Sequence, residues 1–318
     1  QVRAVEATCS EVSAPGFKSA MPEGLLCQLQ DFSFPTIWAA TFVITTAAAL
    51  GGGGAAFYAL YWKPTYEMWR WKTTATYPAP DKVRLEITQM MKGILATSFC
   101  PALTLYLLQF EGGWSKAYCG VEPYGWGYLA ASIAVSLVFS DFFEFFYHWC
   151  GHKVPFMWAE HKKHHVFPNP TPFAVIADEP LDQLMRASPL LFMPMLAPLN
   201  MDALVVCWGL LFFAWGIFLH CGYEHPQIDP HSTSMNTAYH HHLHHVIATP
   251  GNALHCGFWF QIWDKLFGSM HKGECICARC SQSKGKRERE DWDKLDVPDY
   301  SVLLQPEFWL RRGQFKQA

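Results

Sequence analysis

Four long segments without charged side chains constrain the fold of this chain more than any other feature. Three of them contain no charged residue, and the fourth contains only Asp202. A helix needs about 20 consecutive apolar residues to cross the hydrocarbon core of a bilayer. These segments therefore predict an integral, multi-pass membrane protein. They are residues 34–62, 93–110, 123–140 and 187–219.

The fourth segment is too long for a single crossing. Pro194, Pro198 and Asn200 lie near its middle together with Asp202. Because Pro and Asn interrupt helices, the segment is predicted to enter and leave the membrane as a helical hairpin. The predicted fold class is an all-α integral membrane protein with about four to five membrane helices, the hairpin included. The alternative is a soluble protein with buried apolar helices, which a charged fraction of only 16% disfavours.

The distribution of Lys and Arg predicts how the chain is oriented. If the N-terminus lies outside, residues 63–92 and everything after 141, except the hairpin, lie inside. The inside segments then contain 21 Lys and Arg residues and the outside segments contain 3. Basic residues favour the cytoplasmic side of a membrane, so this orientation is expected. A net charge of −3, with no domain-wide basic excess, excludes nucleic acid as a partner.

Cysteine positions and the N-terminus give two weaker expectations. Cys9, Cys27 and Cys119 fall on the outside, where a disulfide can form. No cleavable signal peptide is recognised and the chain begins with Gln, so we expect a processed N-terminus, with a removed transit peptide as one route. Three further cysteines near His271 can hold zinc, but they are spaced more tightly than paired CxxC motifs and stay unassigned. They are Cys275, Cys277 and Cys280.

The histidines point to chemistry. All 15 lie between residues 148 and 271, and most fall into three groups. Residues three or four apart share one face of a helix, so each group can aim two or three imidazoles at one point. The predicted topology brings all three groups to the inside face. The groups are His148 and His152; His161, His164 and His165; and His241, His244 and His245.

Neutral imidazole suits Fe, Zn, Cu and Ni, and about eight to ten such ligands suit two neighbouring ions rather than one. His220, His225 and His240 are further candidate ligands. The remaining histidines are expected to be ordinary core or surface residues: His231, His242, His255 and His271.

Two carboxylates lie near the end of the third apolar segment. Asp141 and Glu144 share a helix face with His148. Carboxylates often accept the second ring N–H of a metal-binding histidine, and that is one expected role. The other is an ordinary interfacial charge.

The pattern HxxxH, HxxHH, HxxHH resembles the sterol desaturase and fatty acid hydroxylase superfamily of membrane di-iron enzymes. Four further stretches resemble its sterol C-5 desaturase branch, and the resemblance covers roughly residues 55–270. The residue types at Glu179 and in the connection 225–240, with His231 and Asn236, differ from those of relatives. These differences bear on the identity of the substrate more than on the metal. The stretches are EGGWSKAY at 111–118, PFAVIADEPLD at 172–182, HCGYEHPQ at 220–227 and WDKLFGS at 263–269.

The resemblance implies that the eight grouped histidines bind two Fe ions, which Zn can replace in preparations, with O2 as co-substrate. It also implies a membrane lipid or sterol substrate, an electron donor of the cytochrome b5 type, and the endoplasmic reticulum. The expected reaction is sterol desaturation. One alternative is a hydroxylase of fatty acyl, alkyl or carotenoid chains. Another is a metal-binding structural subunit of a membrane supercomplex, and plastid or mitochondrial membranes are alternative locations.

The chain is accordingly divided into an outside segment (1–33), a membrane oxidase domain (34–270) and a charged tail (271–318). The basic stretch 284–289 is expected to be solvated, or else to meet an acidic donor or anionic lipid. Hairpin aromatics are expected to pack or face lipid, or else to line a substrate cavity. They are Trp208, Phe212, Phe213, Trp215 and Phe218.

Overall fold

The computed structural model describes residues 24, 26–29, 31–110 and 113–310. Within these ranges the chain is helical, with isolated bridges but no extended strand. The α-helices are α1 (Phe34–Phe57), α2 (Tyr66–Trp69), α3 (Pro80–Thr97), α4 (Phe99–Leu107), α5 (Gly125–Lys153), α6 (Pro155–His161), α7 (Pro180–Ala187), α8 (Pro189–Leu196), α9 (Met201–Val206), α10 (Phe213–His220), α11 (Ala238–Ile247), α12 (Ile262–Phe267), α13 (Ala278–Ser283), α14 (Arg289–Asp293) and α15 (Pro306–Leu310).

Three helices in the described ranges are long and apolar enough to cross a membrane, which confirms the all-α membrane fold class. The first is α1 extended by a π-helical turn, the second is α3 with α4, and the third is α5. Their bounds are Phe34–Trp62, Pro80–Leu107 and Gly125–Lys153.

The second crossing begins well before the charge-free segment 93–110. Its first turns contain Arg84 and Glu86, both buried. Glu86 accepts hydrogen bonds from the backbone N–H (3.1 Å) and the hydroxyl of Thr171. A carboxylate whose oxygens are hydrogen-bonded can be buried, so the helix extends past the limit that charge alone suggested.

The fourth apolar segment forms two helical arms, as predicted. The first arm is α8, and the second runs from α9 through a π-helical stretch, Cys207–Phe212, into α10. Between them the backbone extends at Ala197, and the Asn200 side chain accepts the N–H of Ala203 (2.9 Å) to start α9. The count of four to five membrane helices stays a prediction.

A covalent link closes the end of the molecule where α5 begins. Cys27 and Cys119 form a disulfide, which confirms the predicted bond for two of the three outside cysteines. Cys9 lies outside the described residues. Asp202, the one charge of the hairpin, accepts the N–H of Leu26 (2.9 Å) beside it. α5 has 29 residues and is about 42 Å long, and its first histidine, His148, lies about 35 Å along it from this end.

The opposite end carries a helical cap. Short helices start at prolines, whose missing N–H and fixed φ suit a first helical turn; examples are Pro155, Pro180 and Pro189. The described part of the tail packs on this cap at Tyr300, which donates to the Pro78 carbonyl (2.7 Å), and at the buried Arg287. The other basic residues of 284–289 are exposed, as expected: Lys284, Lys286 and Arg289.

Candidate metal centre

Nine histidines converge on two adjacent buried clusters in the cap. In each cluster one ring nitrogen per residue lies within 4.8 Å of all the others. The five-histidine cluster comprises His148, His152, His161, His165 and His244. The four-histidine cluster comprises His164, His220, His241 and His245.

The two clusters are neighbours because two histidine pairs are divided between them. His164 and His165 occupy a 3-10 turn after α6, and each enters a different cluster. Their ring centroids are 5.9 Å apart. His244 and His245 in α11 are divided in the same way, at 5.8 Å. Successive residues of a helix point about 100° apart, so one histidine pair can serve two sites.

The Nε2 atoms face one another at short range. The spacing is 3.1 Å between His244 and His165 and 2.8 Å between His241 and His220. Two imidazole nitrogens bound to one metal ion at about 2.0–2.1 Å are roughly 3.0–3.4 Å apart. The buried Nε2 atoms of His148 and His152 have no hydrogen-bond partner. Such facing lone pairs fit a bound cation, since burial without a partner is unfavourable.

Backbone carbonyls fix the tautomers that make this possible. A carbonyl only accepts, so each Nδ1 bonded to one carries the proton and leaves Nε2 free for a metal. The pairs are His148 with Cys256 (3.2 Å), His152 with Thr249 (3.4 Å), His244 with Leu254 (2.6 Å) and His220 with Gly216 (2.8 Å).

Carboxylates lie beside two more histidines, of which His161 has a hydrogen-bonded partner and His164 only a close one. His161 Nδ1 lies 3.2 Å from Asp182 Oδ2, and His164 Nδ1 lies 3.1 Å from Asp178 Oδ1. Tyr147 donates to the other oxygen of Asp182 at 2.8 Å. Sequence reasoning missed both acids as histidine partners. The available signal was their position, four residues apart in the stretch that follows the second histidine group.

Asp141 and Glu144 have partners other than the histidines, so their expected role as hydrogen-bond acceptors of metal-binding histidines is wrong. Asp141 turns instead to the backbone N–H of Trp259 and the indole N–H of Trp263, both at 2.7 Å. Glu144 pairs with the buried Arg186, which also lies 3.8 Å from Asp182. Glu144 therefore reaches His161 through one intermediate side chain, Arg186, whose guanidinium nitrogen lies 3.5 Å from His161 Nδ1.

Burial keeps these imidazoles neutral. It lowers the pKa of His164 and His241 well below the usual value, and neighbouring imidazoles lower it further. Burial likewise lowers the pKa of His165 to about 3. Burial raises the pKa of Asp178 well above its usual value, with Asp182 adding to the effect. At neutral pH the histidines therefore present the form that binds metals.

The structure does not bring His225 and His240 into either cluster, which corrects their prediction as ligands. His225 is exposed, and its Nδ1 accepts the N–H of Gln227 (3.2 Å). His240 is buried, and its Nδ1 lies 2.9 Å from the Gln261 side-chain nitrogen and 3.0 Å from the Thr237 hydroxyl instead. His242 and His255 are also buried outside the clusters.

Hairpin aromatics pack against the domain, as one of the two interpretations expected. Phe212 stacks on Phe258 at 4.8 Å between ring centroids, and Trp215 donates to the carbonyl of Phe258 (3.0 Å). A separate apolar cavity of ≈ 350 Å³ opens between α5 and α8. Its walls include Tyr128, Val135, Phe139, Met193 and Leu196.

Comparison with known proteins places this centre in a family context. The family model "Fatty acid hydroxylase" matches residues 133–269, which contain all nine clustered histidines. The lathosterol oxidases of Mus musculus and Homo sapiens are 32% and 31% identical, each over 59% of this chain and 61% of their own length. A Delta(7)-sterol 5(6)-desaturase of Aspergillus fumigatus is 31% identical over 60% of this chain and 63% of its own.

The chain thus spans about three-fifths of the length of these curated relatives. No solved structure matches it. The matches confirm the resemblance to the sterol desaturase and fatty acid hydroxylase superfamily that the histidine pattern predicted.

Proposed function

We propose that this chain is an O2-dependent membrane oxidase that introduces a double bond into a sterol-like lipid, with two iron ions held by the two histidine clusters. The observation that supports it most is the pair of adjacent clusters, whose Nε2 atoms face inward and whose Nδ1 atoms are largely held from outside. Imidazole ligands suit iron. When bound, the irons supply O2 activation and oxidation of an unactivated C–H bond.

The protein's own contribution is to orient the ligands and exclude water. Eight of the nine clustered histidines are almost fully buried, and the ninth, His165, is partly buried. The Asp182 carboxylate, fixed by Tyr147 and Arg186, holds the ring of His161. Such outer partners raise the basicity of a ligand and fix its direction.

A lipid substrate is supported by the cavity between α5 and α8. Its walls are almost entirely apolar side chains. Phe139, on the cavity wall, lies nine residues before His148, or about 13 Å along α5. Nine residues are about two and a half helical turns, so the cavity and His148 lie on opposite faces of α5, and the cavity supports binding of an apolar molecule beside this helix. Electrons would come from an external donor of the cytochrome b5 type at the inside face, and the endoplasmic reticulum is the proposed membrane.

Hydroxylation is the second candidate, because the matching family model is named for a hydroxylase. The same centre serves both outcomes, since abstraction of one hydrogen precedes either loss of a second hydrogen or capture of a hydroxyl. Product analysis separates them. Incubation of the reduced protein with a Δ7-sterol and with a fatty acid, followed by mass spectrometry, gives a loss of two hydrogens or a gain of one oxygen.

The first experiment is elemental analysis of anaerobically purified protein. Wild type should contain about two irons per chain. The double variant His164→Ala/His165→Ala removes one ligand from each cluster and should lose both. His225→Ala, an exposed histidine outside the clusters, is the matched control. Wild-type protein without metal, and without uptake on iron reconstitution, would overturn the proposal and favour a structural subunit of a membrane complex.

A further inference from the structure

A second group of metal-binding side chains lies outside the histidine clusters. His231, expected to be an ordinary histidine, lies beside Cys275, Cys277 and Cys280. The four ligand atoms all lie within 4.8 Å of one another. His271, the histidine nearest to these cysteines in sequence, is not part of the group. We propose that these four residues form a structural zinc site.

The distances fit a tetrahedral ion. His231 Nε2 lies 3.2 Å from the Sγ of Cys275, 3.7 Å from that of Cys277 and 3.5 Å from that of Cys280. Zinc binds thiolate sulfur at about 2.3 Å and imidazole nitrogen at about 2.0–2.1 Å, which puts S and N about 3.6 Å apart across a tetrahedral angle. Three cysteines and one histidine are a ligand set that structural zinc sites use, and thiolates favour zinc over harder cations.

The surrounding groups stabilise thiolates. The backbone N–H of Cys277 points to the Cys275 sulfur at 3.5 Å, and the N–H of Cys280 to the Cys277 sulfur at 3.3 Å. On the other side, Asp229 Oδ1 accepts the backbone N–H of His231 (3.1 Å) and lies 3.5 Å from its Nδ1. A carboxylate on the far nitrogen leaves Nε2 unprotonated and directed at the sulfurs.

The site joins two distant parts of the chain. His231 belongs to the connection between α10 and α11, 44 residues before Cys275. Cys277 is fully buried and packs with Tyr239 and Leu243 of α11, the helix that carries the third histidine group. Tyr239 also accepts the N–H of Ile276 (3.3 Å). A zinc ion here would therefore fix α11 to the tail, with four protein ligands and no open position, as in structural sites.

X-ray absorption at the zinc edge tests the site on the wild-type full chain. Among the metal-binding groups of the described residues, this one offers sulfur whereas both histidine clusters offer nitrogen, so zinc bound in place of iron is recognised separately. We expect a shell of about three sulfurs near 2.3 Å with one nitrogen. Zinc surrounded by nitrogen alone, or no zinc in protein prepared under reducing conditions, would overturn the proposal. Since this shell does not depend on iron content, the result is independent of the proposed oxidase function.

Cysteine labelling gives a second test that needs no variant. The three thiols should resist alkylation in the purified protein and react once a zinc chelator is added. Equal labelling with and without chelator, or a disulfide between any two of them in a reducing preparation, contradicts the proposal.

The variants Cys275→Ser and Cys280→Ser should each lose one zinc per chain. Cys150→Ser, a free cysteine elsewhere on the same side, should retain it.

Discussion

The two histidine clusters differ in how firmly their outer nitrogens are held. In the five-histidine cluster, His148, His152 and His244 donate to backbone carbonyls and His161 lies against Asp182. In the four-histidine cluster, the buried Nδ1 atoms of His164, His241 and His245 have no hydrogen-bond partner in the described part of the chain, whereas in the five-histidine cluster this holds for His165 alone. The first cluster is thus largely preorganised by the fold, whereas the second depends more on the metal itself to fix its rings.

The largest expected effect comes from the adjacent pair His244 and His245. Each replacement by Ala removes one ligand from a different cluster, at neighbouring positions of the same helix. Each replacement should reduce turnover at least 100-fold, because the loss of a ligand's outer hydrogen-bond partner alone already costs about 10–100-fold. Each variant should lose only the ion of its own cluster. Elemental analysis and Mössbauer spectra check this. Loss of both ions from either variant would show that the clusters are not separate sites.

Asp182→Asn should have the next largest effect, because His161 loses the carboxylate that orients it. The affinity of the five-histidine cluster for metal should fall about 10–100-fold. Competition with a chelator measures this affinity. Asp178→Asn is the matched control, since it should weaken the four-histidine cluster instead. An identical loss pattern in both variants would contradict the assignment of each acid to one cluster.

A wild-type chelation experiment sharpens the comparison without mutation. The ion of the four-histidine cluster should leave first, because three of its four ligands lack a hydrogen-bonded outer partner, against one of five in the other cluster. We expect release in two phases that differ in rate by roughly tenfold, the scale of outer-partner effects. Single-phase release would mean that the partners described here do not govern metal retention.

The smallest effect is expected for Asp141→Asn, which lies near the clusters without contacting them. Asn can accept from only one of the two N–H groups that Asp141 now serves, leaving the other without an acceptor. The free energy of unfolding should fall by about 1–3 kcal/mol. Metal content should stay at the wild-type level. Thermal unfolding in detergent and elemental analysis measure the two quantities.

Much of the centre was predictable from spacing. His148 and His152 lie four residues apart on α5 and share a cluster, as helical periodicity requires. The division of His164 from His165 was not foreseen, because spacing alone does not show that two sites lie on either side of one turn. Histidine partners such as Asp182 depend on tertiary packing between α5, α6 and α7. The same is true of His231, which meets cysteines far along the chain.

Apolar segments were equally informative for the fold, within a limit. The segments 34–62 and 123–140 anticipate α1 and α5. The charge-free segment 93–110 placed the start of the second crossing too late, because Glu86 is buried in this crossing with hydrogen-bond partners from a distant loop. Sequence shows the presence of a charge but not the group that balances it.

The disulfide between Cys27 and Cys119 has a practical consequence. It lies at one end of a helix of about 42 Å, and the cysteines at the other end are free thiols. The usable thiol–disulfide potential is bounded on both sides: an oxidising buffer endangers Cys275, Cys277 and Cys280 when they hold no zinc, and a strong reductant opens the link. The two ends of the chain are therefore expected to face aqueous phases of different redox potential. A preparation refolded in one uniform buffer is expected to be heterogeneous.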